Sequence, residues 1–100
     1  MSYAQIEMKV VQWLEARQIV PNSTPAAQFL KTVSEIGELA DAINKRDMPA
    51  IKDGIGDVAV TLLAVCALLD IDFTECLEGA YNEIKDRKGT LLPNGVFVKA

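Results

Sequence analysis

The sequence predicts an all-α fold, a four-helix bundle-like arrangement followed by a short C-terminal tail. Three observations predict it. Apolar residues recur at helical spacing in three separate stretches. A fourth stretch, Val58 to Leu69, is apolar except for Thr61 and carries no charge. Helix caps and turn formers separate the four stretches. One hundred residues fit one domain, spanning 1–100. A domain of this size buries a modest core, so a partner subunit adds much to its stability.

The first helix is expected from about Tyr3 to Gln18, where Ile6, Val10, Trp13 and Leu14 recur on one face. Ile19 to Thr24 contains Pro21, Asn22, Ser23 and Thr24 and reads as a loop. Thr24 suits an N-cap and Pro25 the first helical position, opening a second helix that runs to Lys45 or Arg46. Its apolar stripe is Phe29, Val33, Ile36, Ala40 and Ile43. After a short connection at Asp47 to Pro49, a third helix is expected from Ala50 to Leu69. Its second half is apolar all round, which implies burial all round, by its neighbours and by a second subunit.

Asp70-Ile71-Asp72 reads as a turn, and Asp72 with Glu75 as a capping box with Asp in the Ser/Thr place. The fourth helix is expected to run to Lys88, with Phe73, Leu77, Ala80 and Ile84 facing inward and Gly89 ending it in a left-handed conformation. Pro93-Asn94-Gly95 is a turn signal, so the tail forms a small hairpin or folds back over the bundle.

The net charge is −4 and the isoelectric point about 4.7. An acidic chain without a basic stripe is a poor nucleic-acid binder. No apolar run reaches the ~20 residues that a bilayer requires, so no membrane span is expected. The N-terminal MSYAQIEMKV lacks a basic-then-apolar leader, which points to a cytoplasmic location. Cys66 and Cys76 form no metal-ligand pattern and read as buried free thiols. The chain has no histidine, which excludes histidine triads and histidine metal sites. Metal chemistry therefore falls to oxygen ligands, which suit magnesium or manganese better than zinc.

The acids carry the most information. Gln28, Lys31, Glu35 and Glu38 fall within a sector of roughly 80° on the second helix. Such a stripe either borders a cleft or is a solvated face with Lys31 and Glu35 paired. Asp53 and Asp57 lie one turn apart on the third helix, and Asp57 opens the most apolar segment. A helix-dipole role explains Asp53 but not Asp57, which sits about two turns in. The short connection makes the two helices antiparallel neighbours, so both acidic pairs reach similar heights. Four close carboxylates repel one another, and a divalent cation relieves that repulsion. Gly37, Gly54 and Gly56 beside them permit close helix packing or ligand approach.

The run Gln28-x-x-Lys31-x-x-x-Glu35-x-x-Glu38-Leu39, followed by Ile55-Gly56-Asp57-Val58, resembles the MazG-like nucleotide pyrophosphohydrolases of the all-α NTP pyrophosphatase superfamily. The order of features is similar along nearly the whole chain. It runs from the Trp-bearing first helix to Tyr-Asn-Glu-Ile-Lys-Asp-Arg-Lys-Gly at 81–89 and Asn-Gly-Val-Phe-Val-Lys at 94–99. The family pattern is Glu-Glu-x-x-Glu and then Glu-x-x-Asp. Here Ser34 replaces the first glutamate, and Gly54 takes the place of the acid three before Asp57, with Asp53 one residue upstream.

The resemblance implies an enzyme that splits a nucleoside triphosphate into a nucleoside monophosphate and pyrophosphate with Mg2+, or Mn2+ as the alternative, in nucleotide-pool cleaning. It implies Glu35, Glu38 and Asp57 as metal ligands, with Asp53 as a substitute ligand, and Glu35 or Glu38 as the residue that activates water. Gln28, Lys31, Asn82, Lys85 and Arg87 become candidates for substrate binding. Trp13 is either a base-stacking surface or a core residue. A homodimer or homotetramer is expected. Ser34 and Gly54 keep a second reading open, a non-catalytic helical interaction module that retains the fold.

Overall fold

The first helix, α1 (Tyr3–Ala16), opens on a capping box in the computed structural model, which describes residues 1–100. Ser2 Oγ accepts from the Gln5 amide at 3.2 Å, and Gln5 Oε1 accepts from the Ser2 amide at 2.8 Å. Two donors that a helix start leaves free are thus satisfied reciprocally. The helix ends two residues earlier than expected because Gln18 takes a left-handed conformation, φ 61°.

A single turn, α2 (Ile19–Asn22), stands where a loop was expected. Val20 within it is extended, so it is a bent turn rather than a regular helix. Ile19 and Val20 are half-buried, and the turn packs on both α1 and the long helix described next. Apolar burial outweighs the polar composition of the segment.

The two long helices are α3 (Pro25–Asn44) and α4 (Met48–Leu69). Thr24 caps α3, its hydroxyl accepting from the Ala27 amide at 3.1 Å, with Pro25 in the first turn as expected. Asp47 caps α4 through the Ala50 amide at 3.2 Å, which starts that helix two residues before the expected Ala50. These helices form the main pair of the fold, and α1 and α2 pack on α4. Gly54 is buried on α4 against Leu39 of α3. A Cβ there would lie 3.2–3.4 Å from Leu39, so the position serves helix packing.

α4 ends at Asp70, left-handed with φ 56°, and the chain turns by 104° into α5 (Phe73–Ile84). Asp72 caps α5 by accepting from the Thr74 amide at 2.9 Å, and no bond from Glu75 completes the expected box. α5 stops at Ile84, four residues short of Lys88. Gly89 does not end it. That glycine instead opens β1 (Gly89–Leu91), which pairs antiparallel with β2 (Phe97–Lys99) in the register Gly89↔Lys99. A Cβ at Gly89 would collide with the Val98 carbonyl and the Phe97 ring, so close approach explains the glycine. Gly95, at φ 89°, makes the turn of the expected hairpin.

Three expectations about burial need correction. The stripe Phe29, Val33, Ile36 and Ile43 of α3 is exposed, and Gln28, Thr32, Glu35, Leu39 and Ala42 face α4 instead. Within the single chain the second half of α4 is not buried all round, since Ala59 and Leu69 are exposed. On α5, Leu77 and Ile84 do not face inward within the chain, Leu77 being 62% exposed. Only the base of α5 is tied down, Phe73 lying 6.5 Å from the Tyr3 ring.

The dimensions agree. The radius of gyration is 16.0 Å, against about 13 Å for a compact chain of this length. The chain exposes 7597 Å², whereas a compact fold of this mass exposes roughly 5,600 Å². Cys66 is half-buried and Cys76 exposed, so the buried-thiol reading fails for Cys76. No single helix is long and apolar enough to cross a membrane.

Candidate active site

Glu35 is the buried acid of the fold, 8% exposed on the face that α3 turns to α4. Its Oε1 lies 3.3 Å from Lys31 Nζ, one turn earlier. Its Oε2 is buried with no hydrogen-bond partner. Leaving a buried polar atom unpaired costs on the order of 1–3 kcal/mol, so an unpaired carboxylate oxygen marks a place for a ligand. The neighbouring polar groups are satisfied locally. Thr32 donates to the Gln28 carbonyl at 3.1 Å, Thr61 to the Val58 carbonyl at 2.8 Å, and Gln28 Nε2 to Ser23 Oγ at 3.1 Å.

Glu35 opens into a cavity of about 190 Å³ between α1, α2, α3 and α4. Gln28 and Lys31 line it from α3, Asp57, Val60 and Thr61 from α4, and Trp13, Leu14 and Ile19 from the N-terminal elements. Asp57 is half-buried, and that burial pushes its carboxyl above the usual range; Asp53 and Glu35 push it further, while Lys31 opposes them. Asp57 also borders a second cavity, about 440 Å³, between α1 and α4, lined by Tyr3, Ile6, Lys52, Asp53 and Gly56 among others.

The structure thus gathers Trp13, Gln28, Lys31, Glu35 and Asp57 around one cavity. Asp53 is exposed and faces the second cavity. Glu38 is exposed one turn beyond Glu35 and lines neither. No three acidic or thiol side chains stand close enough together to hold a metal ion. Asn82 lies on α5, with Lys85 and Arg87 just beyond it, all exposed and away from the α3–α4 pair. Sequence reasoning missed the apolar walls Leu14 and Ile19. The signal for Ile19 was an apolar pair inside a polar segment. It also missed Arg17, whose guanidinium lies 5.2 Å from the centre of the Trp13 ring.

Two carboxylates line the cavity, one with a buried unpaired oxygen, and oxygen donors of this kind are what a hard cation takes, although a third acid does not join them here. The raised Asp57 carboxyl, a result of burial first and of Asp53 and Glu35 second, sets a pH dependence. A carboxyl raised in the folded state makes folding take up protons, so stability rises as pH falls from neutral toward the ordinary aspartate value. Asp57→Asn removes the half-buried charge together with its repulsion, and we expect it to raise the metal-free melting temperature at pH 7 and flatten its change between pH 7 and 5. A melting temperature that falls with the substitution would contradict a destabilising charge at Asp57.

A family model described as the MazG nucleotide pyrophosphohydrolase domain matches residues 23–92. An uncharacterized 18.2 kDa protein from the rep-hol intergenic region of Haemophilus phage HP1 (strain HP1c1) is 38% identical over 68 residues. That match covers 68% of this chain and 42% of the phage protein, so the chain spans less than half the length of this curated relative. Among solved structures, the cyanophage S-2L MazG-like pyrophosphohydrolase bound to dGDP and three catalytic Mn2+ ions per active site superposes with a TM-score of 0.75. The two are 22% identical, and the match covers 100% of this chain and 94% of that one. It shows a shared fold, α5 and hairpin included.

Proposed function

Because the chain belongs to the MazG nucleotide pyrophosphohydrolase domain family, we propose that it hydrolyses a (deoxy)nucleoside triphosphate to the monophosphate and pyrophosphate, with Mg2+ or Mn2+, as a nucleotide-pool cleaning activity. The observation that carries this reading is the convergence of Glu35, with its unpaired oxygen, and Asp57 on one cavity shared with Lys31. The dGDP and Mn2+ of the cyanophage protein support it by analogy.

Glu35 and Asp57 would hold the metal, with Asp53 and Glu38 as outer contributors. When bound, the ion neutralises the triphosphate and the charge that develops on the phosphoryl oxygens. The remaining work falls to the chain. Lys31 offers a mobile ammonium to the phosphates, and Gln28, anchored on Ser23, offers a fixed amide. Glu35, which lines the cavity, is placed to orient or deprotonate the attacking water; Glu38, exposed one turn beyond and outside the cavity, takes that role only if metal and substrate draw it in. Trp13 presents a flat ring at the cavity wall for the base, and the apolar walls keep bulk water from the reacting phosphates.

Asn82, Lys85 and Arg87 reach a substrate only if assembly carries α5 to a site. We propose a homodimer or homotetramer for that reason and for the surface it covers. The excess exposed area is roughly 2,000 Å² per chain, within reach of the about 2,000–5,000 Å² that permanent homodimers bury in total. Sedimentation at micromolar concentration should find two or more chains per particle, and a monomer would contradict the assembly.

The function itself is tested by incubating the protein with each ribo- and deoxynucleoside triphosphate plus Mg2+ and assaying pyrophosphate. Release from at least one nucleotide is expected. No release from any, with no Mg2+ binding by calorimetry, removes the enzyme reading.

A further inference from the structure

The site already contains a cation of its own. Lys31 Nζ stands 3.3 Å from Glu35 Oε1, and the two side chains differ sharply in exposure, 59% against 10%. The ammonium therefore reaches from water to a carboxylate that is almost wholly enclosed. It approaches one oxygen only, while Oε2 stays buried without a partner. Lys31, Glu35 and Asp57 all line the same cavity, so the ammonium occupies a carboxylate oxygen on the wall that Asp57 shares, paired with Glu35 and not with Asp57.

The pair is also built to be broken. Lysine precedes glutamate at i,i+4, the less favourable order on a helix. The lysine stem is long and largely in water, so release costs little packing. A divalent ion brings twice the charge and several coordination positions, and it repels an ammonium on the same carboxylate.

We propose that Lys31 is a placeholder cation. It is a positioning residue that holds Glu35 in its ligating orientation while the site has no metal, and it leaves Glu35 when a divalent ion binds. The freed ammonium then turns to the incoming phosphates. This inference rests on the divalent-metal reading above.

Calorimetric titration of Mn2+ without nucleotide, together with melting curves with and without Mn2+, tests it on wild type, Lys31→Met, Lys31→Arg and Lys52→Met. Lys52 lies beside Asp53 and Asp57 in the second cavity and forms no ion pair, so it controls for general charge. Lys31→Met should melt below wild type without metal, because Glu35 loses its only partner. It should bind Mn2+ about tenfold more tightly, the factor expected if the pair is closed in roughly nine molecules of ten. Its Mn2+-induced rise in melting temperature should exceed that of wild type. Lys31→Arg should bind no more tightly than wild type, and Lys52→Met should shift affinity by less than about twofold. Unchanged affinity in Lys31→Met overturns the proposal, as does an equal gain in Lys52→Met. A wild type that binds no Mn2+ overturns the metal reading itself, an outcome distinct from both.

Discussion

Glu35→Gln should abolish nearly all turnover while the protein keeps its fold. Glutamine has the same shape, so the α3–α4 packing around position 35 survives. What it loses is the charge. The buried Oε2 is the one unpaired polar atom in the cavity, and an amide there cannot neutralise a divalent ion. The loss of a single preorganised electrostatic group costs roughly 10²–10³-fold in turnover number. Mn2+ binding should fall with it, while the metal-free melting temperature changes little, because Lys31 is largely exposed and returns to water. Steady-state kinetics and calorimetry on the same sample check this. Wild-type turnover in Glu35→Gln would remove Glu35 from the site. Glu38→Gln should also lower activity by orders of magnitude if Glu38 is drawn into the site by metal and substrate; normal turnover would remove it.

The second large effect is structural. Leu14 is 1% exposed and is among the largest fully buried side chains. It comes from α1 and walls the cavity beside Glu35 and Ala64. Leu14→Ala leaves a hole in a core with few other buried apolar side chains, at a cost of about 2–5 kcal/mol. In a domain of this size each kcal/mol lowers the melting temperature by about 4–8 °C, so a fall of more than about 10 °C is expected. The change also widens the wall next to Trp13, and nucleotide affinity should drop even below the transition. A shift of only a few degrees would mean that the pocket collapses around the alanine.

The sequence was most legible where a local rule decides the outcome. Thr24 and Pro25 begin α3 because a cap and a pre-set φ act within one turn. Helical spacing and a short connection placed both acidic pairs together; Glu35 and Asp57 line one cavity, while Asp53 faces a second and Glu38 lines neither. Helical period tells which residues share a face but not which face meets a neighbour. Thus Phe29, Val33 and Ile36 read as core and lie outside, whereas the face carrying Thr32 and Glu35 packs on α4. The same limit applies to α5, whose apolar stripe beyond Phe73 is exposed within the chain. Gly89 was misread because its constraint comes from Val98 across the hairpin, not from the preceding helix. Gly54 read as one of three glycines beside the acids, and only the structure shows that a Cβ there would press on Leu39 across the helix pair.

The proposed function requires carboxylates of α3 and α4 to hold a divalent ion against a triphosphate and to direct cleavage between its α and β phosphates. Phosphorus NMR of the products tests this most directly, using the nucleotide with the highest turnover and Mg2+ or Mn2+ present. Monophosphate and pyrophosphate should accumulate in equal amounts, stop on chelation, and form roughly 10²–10³-fold more slowly with Glu35→Gln. Diphosphate with inorganic phosphate, or equal turnover after chelation, would contradict it.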